Sequence, residues 1–119
     1  MIEDVEVFLK AFGQTTNIDN KRQSELYDKL MSEEFVEFGQ ARLMNNDVEQ
    51  LDAVCDLIWV TIGFALSRGW DLEGAFKEVA RSNMSKLGPD GKPIRREDGK
   101  ILKPSTWSPP NLGKFVSKT

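Results

Sequence analysis

Six carboxylates in two short stretches are the residues of this chain best placed to do chemistry. They are Glu33, Glu34 and Glu37 in Ser32-Glu33-Glu34-Phe35-Val36-Glu37, and Glu49, Asp52 and Asp56 in Glu49-Gln50-Leu51-Asp52-Ala53-Val54-Cys55-Asp56. Within each stretch the acids stand three or four residues apart, which lines them along one face of a helix. About a dozen residues separate the stretches, enough for one helix to finish, turn and return antiparallel. Two facing acidic stripes form a nest of oxygen ligands, the kind that Mg²⁺ or Mn²⁺ takes. The competing reading is a pair of solvated faces. Against it, Asp52 and Asp56 interrupt Leu51, Ala53, Val54, Cys55, Leu57, Ile58, Trp59, Val60 and Ile62, a helix apolar nearly all round. Such a helix is expected to be buried, and a buried carboxylate needs a cation or a strong partner.

The rest of the composition narrows the chemistry. The chain has 119 residues, one domain's worth, and no histidine. That removes Ser-His-Asp and Cys-His catalysis, zinc–histidine sites and imidazole bases, leaving carboxylates, lysines and metal-bound water. Cys55 is the single cysteine, so no disulfide forms within the chain. On its apolar helix face it is expected to be inert core packing, in a reducing, cytoplasmic setting. No signal peptide is recognised. The longest apolar run, Leu57 to Leu66, is broken by Thr61 and Gly63 and is too short for a bilayer, so no membrane is expected.

The net charge of −3 hides an asymmetry. Residues 1–87 hold 9 Lys+Arg against 16 Asp+Glu, net −7, and residues 88–119 hold 7 against 3, net +4. An acidic body with a basic tail suits a protein that binds metal with one part and an anion with the other. The basic region is short, so no nucleic-acid partner is expected.

The elements that must position the acids follow from periodicity and caps. Residues 2–12 read as a short amphipathic helix with Val5, Phe8, Leu9 and Phe12 on one side, stopped by Gly13. Asn20 with Gln23 has the capping-box spacing and opens a helix to about Met44, whose apolar positions are Leu26, Leu30, Phe35, Phe38 and Leu43. Asn45-Asn46 makes the turn, and Asp47 with Gln50 is a second capping-box candidate. The apolar helix runs from Val48 to about Ser67 and is closed by Arg68 and Gly69. Asp71 caps a further helix, Leu72 to Leu87, with Ala75, Phe76, Val79, Ala80 and Met84 facing inward.

Beyond Leu87 the composition changes. All five prolines and four of the nine glycines lie in residues 88–119, so helix is expected to end there. The Asp98-Gly99 turn predicts a small hairpin between Lys92–Arg96 and Lys100–Lys103. Pro104 to Thr119 is expected to be extended and packed on a surface or a neighbouring subunit. The domain organisation read here is a helical 1–87 with a Gly/Pro-rich basic tail, 88–119, belonging to the same domain.

Glu-Glu-x-x-Glu on one helix and Glu-x-x-Asp on the next resemble the all-α nucleoside triphosphate pyrophosphohydrolases, which include MazG-like enzymes, dimeric dUTPases and phosphoribosyl-ATP pyrophosphohydrolase. Ala11-Phe12-Gly13-Gln14, Asp52-Ala53-Val54-Cys55-Asp56-Leu57-Ile58-Trp59-Val60 and Arg81-Ser82-Asn83-Met84-Ser85-Lys86-Leu87 carry the likeness in the right order. The Asp-Gly-Lys…Lys-Pro…Pro-Pro-Asn-Leu tail extends it, closest to the compact phage- and bacterial-type members. The fold implied is an all-α bundle of four to five helices, completed by a homodimer or homotetramer, with an irregular basic tail.

By position, the resemblance puts metal ligands on Glu34, Glu37, Glu49 and Asp52, for Mg²⁺ or Mn²⁺ with two or more ions per site. Glu33 stands beside them as a further ligand or a water-activating base. Asp56 either joins the metal shell or holds a nearby lysine. Asn83 and Lys86 match residues facing the triphosphate, with Arg95, Lys100 and Lys103 reaching it from the tail. Gln14, Phe12 and Trp59 fall where similar proteins build the base pocket. Leu9 and Ala80 stand where many relatives carry histidine, and Trp59 where tyrosine is common; these departures bear on base preference and leave the metal ligands untouched.

The activity implied is hydrolysis of a (deoxy)nucleoside triphosphate to the monophosphate and pyrophosphate, in the cytoplasm, or the host's if phage-encoded. Two other classes compete: a non-catalytic nucleotide-binding protein of the same fold, and a helical interaction module whose acidic stripes pair with a partner.

Overall fold

The structure is a computed structural model that describes residues 1–116. It contains α1 (Ile2–Ala11), α2 (Lys21–Leu43), α3 (Asp47–Ser67), α4 (Leu72–Met84) and a single turn, α5 (Gly113–Val116). No strand occurs among the described residues, so the chain is all-α as expected. The backbone groups into two compact units, Met1–Leu72 and a second one from Glu73 onward. The division falls at the start of α4, whereas the change of composition comes after Leu87.

In the first unit, α2 and α3 form a helical hairpin and α1 packs on α3. Asn20 opens α2: its side-chain oxygen accepts the Gln23 N–H at 3.0 Å. The reciprocal half of the capping box is missing because the Gln23 side chain is engaged elsewhere. Its Oε1 accepts the Thr15 N–H at 3.0 Å, and its Nε2 donates to Thr15 O at 2.8 Å and to Ser67 Oγ at 2.7 Å. Asn20 N–H instead donates to Ser67 O at 2.8 Å. The loop after α1 is thereby tied to the start of α2 and the end of α3.

The turn between α2 and α3 places Asn45 at φ 53°. Asn46, one residue earlier than expected, caps α3 by accepting the Glu49 N–H at 3.1 Å. Val5, Leu9, Tyr27, Val60, Ile62 and Leu66 form the core, with Ile2, Leu30, Met31, Trp59, Phe64 and Leu72 packed against it.

Burial departs from the sequence expectation along the turn end of the hairpin. Val48, Leu51, Val54 and Ile58 of α3 are exposed, as are Phe35 and Leu43 of α2, and so is Cys55, which is not core packing; Leu26, near the start of α2, is exposed as well. The reason is reach. Ten residues of α1 extend ~15 Å, about half the ~31 Å of α3's 21 residues. The chain therefore buries α3 chiefly between Val60 and Ser67 and leaves Val48, Leu51, Val54 and Ile58 exposed in the preceding turns. By length and composition α3 is the one helix among the described residues that is long and apolar enough to cross a bilayer. Its C-terminal half is the core of this unit.

The second unit is held by polar contacts. On α4, Phe76, Ala80 and Met84 are exposed and Ser82 is buried, contrary to the inward apolar face expected. The helix ends at Met84, three residues early. Arg81 joins both oxygens of Glu78 at 2.6 and 3.1 Å and donates to Ser108 Oγ at 2.8 Å. Glu78 also accepts the Asn111 N–H at 2.7 Å. Ser82 Oγ donates to Ser108 O at 2.8 Å, and Ser108 N–H donates to Ser85 Oγ at 3.0 Å. Segment 106–111 is thus fastened to its own α4.

The predicted hairpin is present in reduced form. A bridge joins Arg95 to Ile101, Arg96 N–H donates to Lys100 O, and Gly99 takes φ 86° at the turn. Helix does not end at Leu87, since α5 forms a further turn. The last part of the expected extended tail, residues 117–119, lies outside the described residues.

Candidate functional site

The α2–α3 hairpin brings the two acidic stripes face to face. Ala41 and Ala53, each 5% exposed, let the helices approach closely. Beside them Glu37 and Gln40 of α2 and Glu49 and Asp52 of α3 line a cleft of about 220 Å³. One turn further along, Glu34 and Asp56 lie half-buried between the helices.

Electrostatics ties these acids into one group. The Glu34 carboxyl is held above its ordinary value, first by burial, then by the charges of Glu37 and Asp56 and a hydrogen bond with Glu37, and last by the charge of Asp52. Asp56 is raised likewise, by burial and then by Asp52 and Glu37. Both shifts mean that negative charge is crowded there beyond what water alone stabilises. Glu34 Oε2 is buried with no hydrogen-bond partner. No lysine pairs with Asp56 among the described residues.

The donor set is all oxygen, and an orphaned carboxylate oxygen amid like charges fits a hard divalent cation. Among the described residues no three acids already converge tightly enough to enclose an ion. Side-chain rotation of the exposed Glu37, Glu49 and Asp52 would be needed to close the shell. Asp52 is exposed, so the burial argument made for it from sequence fails; Asp56, half-buried, is the residue that satisfies it. Glu33 is exposed on α2, at the head of the stripe.

Phe12 and Trp59 meet through Phe8. The Phe8 and Phe12 rings stand 4.5 Å apart, and Phe8 meets Trp59 edge-on at 5.4 Å. Phe12 is 70% exposed and presents a flat apolar face. Gln14, two residues on, accepts a hydrogen bond from Tyr27 Oη at 2.7 Å.

The second unit holds the remaining sequence candidates. Asn83 is exposed near the end of α4, and its carbonyl accepts the Lys86 N–H at 3.1 Å. Arg95 and Lys100 are exposed in the hairpin, and Lys103 Nζ lies 4.4 Å from the centre of the Trp107 ring. Sequence reasoning missed Tyr27, Gln40 and Arg81. The Glu78–Arg81 spacing of three residues on one helix was a readable signal for the last, and Ser82 and Ser85 on the same helix were another.

No curated protein matches the chain significantly. Residues 7–83, which contain both acidic stripes and the aromatic cluster, match the sequence model of the phosphoribosyl-ATP pyrophosphohydrolase family. The chain therefore belongs to the phosphoribosyl-ATP pyrophosphohydrolase family, whose members are nucleotide pyrophosphohydrolases.

Proposed function

We propose that the chain hydrolyses a (deoxy)nucleoside triphosphate at the α-phosphorus, giving the monophosphate and intact pyrophosphate, with Mg²⁺ or Mn²⁺ bound between the acidic stripes. The observation that carries this reading is the crowding of Glu34 and Asp56 between two helices, with one Glu34 oxygen unpartnered. Glu34, Glu37, Glu49 and Asp52 would hold two or more ions, with Asp56 completing the shell. Such ions neutralise the carboxylates for an anionic substrate and lower the pKa of water.

The chain's own residues do the rest. Glu33, at the head of the stripe, and Glu34 are proposed to take a proton from the attacking water. Phe12 and Trp59 offer stacking surface to the base, and Gln14 a polar contact. Asn83, Lys86, Arg95, Lys100 and Lys103 are proposed to bind the triphosphate and stabilise the departing pyrophosphate. A second copy, as homodimer or homotetramer, is proposed to cover the apolar positions 48–58 that this chain leaves exposed. The proposed setting is the cytoplasm, without nucleic-acid or membrane partners.

Pyrophosphate release from a panel of dNTPs and NTPs with Mg²⁺ and Mn²⁺ tests the reading. Monophosphate and pyrophosphate are expected, with activity lost in EDTA and restored by either metal. Diphosphate and orthophosphate as products, or full turnover without metal, would overturn it.

A further inference from the structure

Gln14 carries a side-chain amide whose orientation is fixed by a buried tyrosine. Its backbone is set by the N–H donated to Leu9 O at 2.8 Å, after a turn in which Gly13 adopts φ 76°. Its Oε1 accepts the Tyr27 hydroxyl at 2.7 Å. A phenol donates more readily than it accepts, because its oxygen lone pair is delocalised into the ring. Burial pushes the Tyr27 phenol above its ordinary value, so its proton is retained for donation.

Tyr27 itself has no room to swing. It is 4% exposed, belongs to the core cluster, and lies so close to Gly63 that a Cβ there would stand 2.6 Å from its Cδ1. With its oxygen turned towards Tyr27, the amide presents its two N–H groups on the opposite side. Gln14 is half-buried, and its nitrogen has no hydrogen-bond partner among the described residues. Two residues away is the exposed Phe12 ring, stacked on Phe8. Aromatic stacking tolerates every base, so selectivity requires a directional group beside it.

We propose that Tyr27 is a positioning residue for base selectivity: it locks the Gln14 amide with its N–H groups outward, so that the site prefers bases bearing a carbonyl over bases bearing an amine on the edge facing Gln14. This rests on the nucleotide reading above and adds to it the feature that selects the base.

The test is binding of monophosphates to the full chain by calorimetry, comparing dUMP with dCMP and dGMP with dAMP. Wild type is expected to favour the keto member of at least one pair by about tenfold, the worth of one hydrogen bond. Tyr27→Phe keeps the ring and removes only the hydroxyl, so it should bring that ratio close to one. Gln14→Glu replaces the donor with an acceptor and should invert it. A purely structural role for Tyr27 would weaken all four ligands alike and leave the ratio unmoved. Equal wild-type affinities, no binding of any of the four, or an unchanged ratio in Tyr27→Phe would each overturn the proposal. Pyrophosphate release from the matching triphosphates separates it from the hydrolase reading. Keto preference in binding without release refutes only hydrolysis, and release with no base preference in binding refutes only the role of Tyr27.

Discussion

The Tyr27 ring rests on the backbone of Gly63, leaving no space for a side chain at that position. Gly63→Ala would place its methyl 2.6 Å from Tyr27 Cδ1, against a ring held in the core. Alanine favours a helix by ~1 kcal/mol over glycine, but overpacking a rigid site costs ~1–3 kcal/mol. A net loss of about 1 kcal/mol is expected, read as a lower urea midpoint with an unchanged slope. A stabilised variant would mean that Tyr27 moves more easily than its burial implies.

Gly69 and Gly13 form a pair of probes for backbone contact. Both have positive φ, 71° and 76°, so alanine at either should cost ~1–2 kcal/mol from conformation alone. At Gly69 a Cβ would also stand 2.7 Å from the carbonyl carbon of Ile18, whereas at Gly13 it meets nothing within 4 Å. Gly69→Ala should therefore be clearly the more destabilising in parallel thermal melts. Equal losses would show that the 14–20 loop is not pressed onto the end of α3.

Acid should release segment 106–111 before it unfolds the first unit. Arg81 first, then the Asn111 N–H, depresses the Glu78 carboxyl from 4.5 to about 2. A carboxyl bound more weakly to protons in the folded state contributes stability above its unfolded value, and loses it as pH falls through the folded one. The contribution is thus full above about pH 4.5 and fades towards pH 2. Limited proteolysis by pepsin between these values should cut near Trp107 earlier than within α2 or α3. Glu78→Gln should show the same early cutting at the upper end of that range. Uniform cutting in both proteins would sink the idea.

Glu34→Gln should remove repulsion without removing volume. Because the folded pKa of Glu34 is raised, its contribution is full below the unfolded value and is lost as pH rises through the folded one. The metal-free variant should therefore be as stable as wild type at pH 7, or more so, and gain less than wild type when the pH is lowered. Activity should fall by ~10²-fold or more if Glu34 acts as base. A variant several degrees less stable without metal would assign Glu34 to the fold instead.

Asp52→Asn tests the ligand stripe at an exposed position. Its metal-free stability should stay within ~0.5 kcal/mol of wild type, as for most surface changes. Saturating Mn²⁺ at about 100 times its dissociation constant should stabilise wild type by ~2.7 kcal/mol per site, and the variant by much less. Glu73→Gln, which removes only an exposed pair with Lys77, is the control and should respond as wild type does. An Asp52→Asn protein with an undiminished metal shift would remove Asp52 from the ligand set.

Local signals were legible and tertiary ones were not. Asn20 was readable as a cap because capping depends on residues three apart. Asn46 was missed by one position because Asp47 and Asn46 both suit the role. The acidic stripes and their pairing followed from spacing and a short turn. Exposure did not follow, because an apolar pattern marks residues that can be buried without saying whether this chain buries them. Phe35 is 64% exposed because nothing among the described residues reaches over it, while Gln23 and Ser67 are buried and joined by a hydrogen bond spanning 44 residues, which no local window contains. The fastening of Ser108 to α4 was hidden for the same reason, with 26 residues between Ser82 and its acceptor.

The buried Ser67 has a consequence for the register of the hairpin. It accepts from Gln23 Nε2, donates to Gly63 O, and takes the Asn20 N–H on its carbonyl. The opposite end of the same two helices is closed by the short turn at Asn45 and Asn46. With both ends clamped, α3 has no freedom to ratchet along α2 by a helical turn of ~5.4 Å. Glu34 and Asp56 are consequently held opposite one another by groups at the ends of the hairpin. Their mutual repulsion is contained by a frame rather than relieved by sliding.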